Sequence, residues 1–147
     1  MHRLSPALAA LLLAACGGGT GDAKPQPGVI ELSDQFSADF ALIDQNGAVM
    51  RDEDIKGRVG VVYFGFASCP DVCPLALGRL SAALNELTPA EREKVAPLFI
   101  TVDPDRDTPE KLKGFLAFDD RITGLTGERA AIEAVKANFK VFAEPEA

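Results

Sequence analysis

The sequence has no tryptophan, one tyrosine and one histidine in 147 residues. Its three cysteines are too few to staple a disulfide-rich scaffold, so each has to be read from its neighbourhood. No segment gathers a cluster of lysine and arginine, and 22 acidic residues against 15 basic ones leave a formal charge of -7. That balance argues against a nucleic-acid surface or any other polyanionic partner. The N-terminal apolar run, Ala7 to Ala15, is too short to span a bilayer. What is present, 25% charged and 47% hydrophobic residues, suits one globular domain and neither a disordered chain nor a membrane bundle.

Arg3 followed by the Ala7 to Ala15 run, ending in small residues, has the pattern of an export signal. The run closes on Leu13-Ala14-Ala15-Cys16, which resembles the lipobox of bacterial lipoproteins, where the signal is cut before a cysteine that carries lipid. Residues 1–15 are therefore expected to be a lipoprotein signal peptide, with Cys16 lipidated. Residues 16–33 contain Gly17-Gly18-Gly19-Thr20-Gly21 and Lys24-Pro25-Gln26-Pro27-Gly28, a composition that packs no core and serves as a flexible tether. Residues 34–147 are left as the folded domain. Export places the remaining thiols outside the reducing cytosol, in the bacterial cell envelope and lipid-anchored to a membrane.

Within the domain, Phe40-Ala41-Leu42-Ile43 and the residues after Asn46-Gly47 suggest a hairpin, since Asn-Gly accepts the positive φ of a two-residue turn. The continuous apolar run Val59 to Phe66 predicts a central strand covered on both faces. Leu77, Leu80, Leu84 and Leu87 then recur at helical spacing, with Pro74 suited to the first helical position. Thr88-Pro89-Ala90-Glu91 is a capping-box signature, followed by a buried strand at Leu98 to Val102. Thr108-Pro109 opens a helix with Leu112, Phe115 and Leu116 on its apolar face. Ile122 to Leu125 suggests a third strand, and Thr126 is expected to cap a helix from Glu128 to Asn138, with Ile132, Val135 and Phe139 inward. Strands alternating with helices imply parallel pairing through right-handed crossovers, hence an α/β sheet with helices on both faces.

Cys69 and Cys73 fall in the turn between the strongest strand and its helix. Helix N-terminal amides stabilise an anion, so one of these thiols, Cys73 or Cys69, should ionise more readily than a free cysteine. One helical turn rises about 5.4 Å, which brings positions i and i+4 within the Cα range that a disulfide tolerates. The pair can therefore close when oxidised or chelate when reduced. Pro70 and Pro74 restrict the backbone after each cysteine. Two thiolates select Cu(I) or zinc over hard cations and leave room for a third ligand, typically an imidazole.

The run Tyr63-Phe64-Gly65-Phe66-Ala67-Ser68-Cys69-Pro70-Asp71-Val72-Cys73-Pro74 closely resembles the Sco/SenC family of copper proteins. Phe99 to Pro109 and Ile122 to Gly127 resemble that family's next two landmarks, in order. The resemblance runs from about Phe36 to Val141. It implies a thioredoxin-like fold, a central mixed sheet with flanking helices, and a role in assembling the CuA centre of cytochrome c oxidase. The two cysteines would hold copper as Cu(I). It also implies a third ligand, a histidine beyond Lys140-Val141-Phe142, which this chain does not contain, because its one histidine is His2. By the same resemblance the C-terminal strands and helix are missing, so the chain is expected to be a fragment. Without the histidine, Cu(II) binding should be poor, and Cu(II) is expected only of a full-length form.

Asp103, Asp105 and Asp107 alternate like the start of a calcium loop, but Thr108 and Gly114 stand where that loop needs Gly and Glu. The run is thus expected to be a strand-end turn and helix cap, at the strand end where α/β sheets place their sites. The leading expectation is a lipid-anchored metallochaperone, not a turnover enzyme. Its expected partners are the oxidase subunit bearing CuA, other periplasmic copper chaperones and thiol reductants. The alternative is a thiol-disulfide oxidoreductase that reduces the oxidase cysteines through the same Cys69 and Cys73 redox pair. A redox or copper sensor is a third. The absence of a Trp-Cys dipeptide and of a two-residue spacer weighs against a general thioredoxin-like reductant.

Overall fold

The computed structural model describes residues 36–143. The signal, the lipobox with Cys16 and the tether lie outside the described residues. The order of elements is β1 (Ala41–Asp44), β2 (Val49–Arg51), a 3₁₀ turn (Asp52–Ile55), β3 (Val59–Gly65), α1 (Val72–Glu86), α2 (Pro89–Arg92), β4 (Val95–Thr101), α3 (Pro109–Phe115), β5 (Thr123–Thr126) and α4 (Arg129–Asn138). They form one mixed sheet in the order β2-β1-β5-β4-β3. β3, β4 and β5 run parallel, and β1 pairs antiparallel with both β2 and β5.

Two apolar cores sandwich the sheet. On one face Leu98 and Ile100 of β4 meet Leu125 and the α4 residues Ile132 and Val135. On the other, Phe99 meets Leu77 of α1 with Leu112 and Leu116 of the α3 segment. The alternation of Leu98, Phe99 and Ile100 between the two is the period of two that a strand imposes, and it leaves β4 buried on both sides. α1 and α3 share a face because both crossovers, β3 to β4 and β4 to β5, step in the same direction with the same hand.

Several expectations from sequence are corrected. β3 is an edge strand among the described residues, pairing with β4 alone. Its apolar run is explained by its two faces, since Val62 and Phe64 join one core and Tyr63 the other. The hairpin loop spans residues 45–48, and only Gly47 takes positive φ, at +83°. Asp44 organises that loop by accepting the N–H groups of Asn46 and Ala48 at 2.8 Å each. α1 begins at Val72, so Pro74 is its third residue, still within the turn whose N–H groups have no helical partner. Thr126 ends β5, and the N-cap of α4 is Glu128, with no side-chain cap. The capping box at Thr88 forms as read, with Thr88 N–H donating to Glu91 Oε2 at 2.8 Å. Thr108 likewise caps α3 by accepting Lys111 N–H.

Candidate functional site

The cysteine loop leaves the C-terminal end of β3 and enters α1, so Cys69 lies in the loop and Cys73 is the second residue of the helix. Cys73 is buried, 4% exposed, while Cys69 is half-buried, and both are free thiols. Cys69 Sγ accepts the Cys73 backbone N–H at 3.4 Å, which ties the two together across the first turn. That bond, with further N–H donors at Asp71 and Val72, holds the Cys69 thiol below its ordinary pKa. Burial pushes the Cys73 thiol up, against the opposing effect of hydrogen bonds from Phe66 and Tyr63. Of the two thiols, it is Cys69 that the N–H groups at the start of α1 face.

Two residues beneath the loop fix Cys73. Tyr63 donates its hydroxyl to Cys73 Sγ at 3.7 Å, and burial with that contact pushes the phenol up to about 12. Gly65 leaves no room for a side chain. A Cβ there would lie 2.9 Å from Cys73 Sγ and 3.0 Å from the rings of Phe99 and Tyr63. The glycine lets the helix start close over the strand end.

Asp107, fully buried, fixes the other end of the loop. Its Oδ2 accepts the Ala67 backbone N–H at 2.8 Å and the Thr101 hydroxyl at 2.7 Å. Its Oδ1 pairs with Lys111 Nζ at 3.2 Å, an ion pair whose alignment falls short of a hydrogen bond. Lys111 Nζ also donates to Ser68 Oγ at 2.7 Å, beside Cys69. Asp107 and Lys111 therefore anchor the loop to the segment that follows β4. The other two aspartates of the run are occupied otherwise, Asp103 with Arg106 and Asp105 with Arg129 of α4. The reading as a turn and cap holds, and the nearness of this segment to the cysteine loop is real.

Among the described residues, no three His, Cys, Asp or Glu side chains come together as a metal site. The donor set is the sulfur pair, open to a cleft of about 470 Å3 lined by Phe64, Phe66, Pro70, Val72 and Val102. Two soft donors beside apolar walls suit a soft monovalent cation better than a hard divalent one. Sequence reading found both cysteines but not Tyr63, Gly65, Asp107 or Lys111 as parts of the site. A glycine closing an apolar strand and a third aspartate placed before a helix cap were the available signals.

The SCO1/SenC family model matches residues 30–147. This chain belongs to the SCO1/SenC family. The SCO2-like protein of Rickettsia felis is 40% identical over 123 residues, covering 81% of this chain and 60% of that protein. This family member thus spans about three fifths of that relative's length. ScoI of Bradyrhizobium japonicum, solved with copper bound, is similar at 38% identity and a TM-score of 0.70, over 74% of this chain and 69% of the other. BsSco, described as a member of the Sco family of cytochrome c oxidase assembly proteins in which a disulfide switch was identified, matches at 27% identity and a TM-score of 0.64, over 79% and 72%. The sheet of this Sco/SenC chain, with helices on both faces, is the thioredoxin-like fold that its sequence resemblance implied.

Proposed function

We propose that this chain binds Cu(I) through Cys69 and Cys73 and delivers it to the CuA-bearing subunit during cytochrome c oxidase assembly. The observation that carries the proposal is the free sulfur pair at the start of α1, one thiol held low in pKa and the other fixed by Tyr63 and Gly65. The copper-bound state of ScoI supports the cargo, and the description of BsSco supports the assembly role. Copper is the substrate here: it arrives on two thiolates and leaves when a partner's thiolates displace them one at a time. Anaerobic titration against a chromophoric Cu(I) chelator tests this. One equivalent should bind, and Cys69→Ser and Cys73→Ser should each weaken binding by more than the ~10–100-fold that losing an outer-shell partner costs. Unchanged binding in both variants overturns it.

A second reading is favoured by the asymmetry of the pair. Cys69 is the more accessible thiol with lowered pKa, and Cys73 is buried with raised pKa, which is the division of labour between an attacking and a resolving thiol. The Cys69 thiolate would attack an oxidase disulfide, forming a mixed disulfide and releasing one partner thiolate. Cys73, deprotonated, would then attack Cys69 Sγ, releasing the second partner thiolate and leaving a Cys69–Cys73 disulfide. Two electrons pass to the partner. We further propose that Cys16 carries lipid and anchors the domain outside the cytoplasm by the 16–33 tether, on the strength of the lipobox-like Leu13-Ala14-Ala15-Cys16. Cys16→Ser should release the protein from envelope membranes.

A further inference from the structure

At the opposite end of the sheet from the cysteines, three arginines distant in sequence line one cavity of about 130 Å3. Arg58 precedes β3, Arg92 ends α2, and Arg121 precedes β5, so all three meet at the N-terminal ends of the parallel strands. The rest of the wall includes Met50, Leu84 and Pro97. Only Arg121 has its charge offset, by Asp119 at 2.6 Å, and it also donates to Ser81. Arg58 and Arg92 form no ion pair among the described residues. Each donates instead to a backbone carbonyl at 3.0 Å, Arg58 to Asp54 and Arg92 to Leu87. The Nε of Arg92 is buried and without an acceptor. Arg58 is exposed and Arg92 half-buried, so the cost falls on the one buried donor, Arg92 Nε, which an anion in the cavity would satisfy.

We propose that this cavity binds a tetrahedral oxyanion, a phosphate group, between Arg58 and Arg92. The site is separate from the cysteine cleft and does not depend on the copper reading. The charge is compatible, because Arg58 and Arg92 carry no ion pair among the described residues while Asp119 already balances Arg121. The size is compatible as well, since a cavity of about 130 Å3 has room for one such anion. Planar guanidinium forks suit this geometry and lysines do not reproduce it. The phosphate can be free or the headgroup of an anionic lipid, and the two sources separate experimentally.

The test titrates the exported domain with inorganic phosphate at constant ionic strength, following thermal unfolding, and in a second arm measures co-sedimentation with vesicles of phosphatidylglycerol against phosphatidylcholine. A saturable rise in Tm with phosphate, reduced at least about tenfold in affinity by Arg92→Lys and by Arg58→Met but not by Arg79→Met on α1, supports a free anion site. Arginine-dependent sedimentation with phosphatidylglycerol alone supports the headgroup. A Tm rise that is non-saturable and equal in all variants is the general salting effect of phosphate on folded proteins, and together with arginine-independent sedimentation it overturns the proposal. Arg92→Lys keeps the charge and the apolar stem, and Arg58→Met alters an exposed side chain, so both variants are expected to fold.

Discussion

Replacing Asp107 by alanine removes the one acceptor shared by the cysteine loop and β4. Two hydrogen bonds to a carboxylate are lost, from Ala67 N–H and from the Thr101 hydroxyl, each worth about 1.5–3 kcal/mol. The Thr101 hydroxyl then stays buried, and the Ala67 N–H half-buried, without that partner. Against this, the folded state no longer has to hold a desolvated charge, which brings the net cost to about 3–5 kcal/mol, the usual range for breaking a buried polar pair from one side. The Lys111 arm adds little, because that side chain is 39% exposed and solvent screens it. Urea unfolding of the reduced protein should show a midpoint lower by roughly 1–5 M with an unchanged slope. Amide exchange at Ala67, Ser68 and Cys69 should accelerate beyond what the global change explains. Asp107→Asn provides the contrast, since its carbonyl can accept both donors, and it should cost under about 1.5 kcal/mol. An alanine cost below about 1 kcal/mol, or asparagine as damaging as alanine, would show that Asp107 does not clamp the loop.

Other predictions concern the thiols and what holds them. Gly65→Ala should destabilise by about 1–3 kcal/mol, because the added methyl meets the buried Phe99 and the Cys73 sulfur. It should also weaken Cu(I) binding, and a fully stable variant with native affinity would contradict the close packing. Pulse alkylation followed by mass spectrometry should label Cys69 ahead of Cys73, with Cys69 reactivity rising at a pH below that of an ordinary thiol. The signs for stability are opposite. The lowered Cys69 pKa gives stabilisation that is present above the ordinary thiol value and lost as pH falls through the folded value. The raised Cys73 pKa gives stabilisation present below the ordinary value and lost as pH rises through the folded one. Equal labelling at every pH would contradict the asymmetry. Tyr63 is the only tyrosine, so phenolate absorbance reports it alone, and the folded protein should titrate near pH 12, returning to about 10 in denaturant. An ordinary midpoint in protein that circular dichroism shows to be folded would exclude the buried Tyr63–Cys73 contact.

Local signals carried much of the fold. Apolar runs, helical leucine spacing and the Thr88 and Thr108 caps were enough to name most elements, because each reports short-range chemistry. Lateral position in the sheet was not legible. The run from Val59 to Phe64 is as apolar as β4 because it supplies two cores, and hydrophobicity along a chain does not say whether a neighbour lies on one side or both. At the site the cysteines were legible through their position between strand and helix. The sequence alone could not separate their roles, which depend on Cys69 accepting the N–H of Cys73 and on Cys73 accepting the Tyr63 hydroxyl. Asp107 looked like one of three equivalent aspartates, and only the fold turns its side chain inward toward Ala67. The arginine cavity escaped for the same reason, since Arg58, Arg92 and Arg121 belong to three different segments.

The antiparallel seam between β1 and β5 has a mechanical meaning. It consists of two register pairs, Ile43 with Thr126 and Asp44 with Leu125, and it joins the start of the described chain to its last strand. β3, β4 and β5 can assemble through successive crossovers of modest length, whereas this seam closes across most of the chain and can form only once β5 is in place. A tensile load applied from the N-terminus would therefore first meet the bonds of Ser37 and Asp39 to Asn138 of α4, then reach the β1–β2 hairpin and peel it from β5 as a short zipper. The cysteine loop hangs from β3 and is clamped to the β4 exit by Asp107, so it lies outside that load path. The hairpin can act as a mechanical fuse, opening under strain while both sulfurs stay in register.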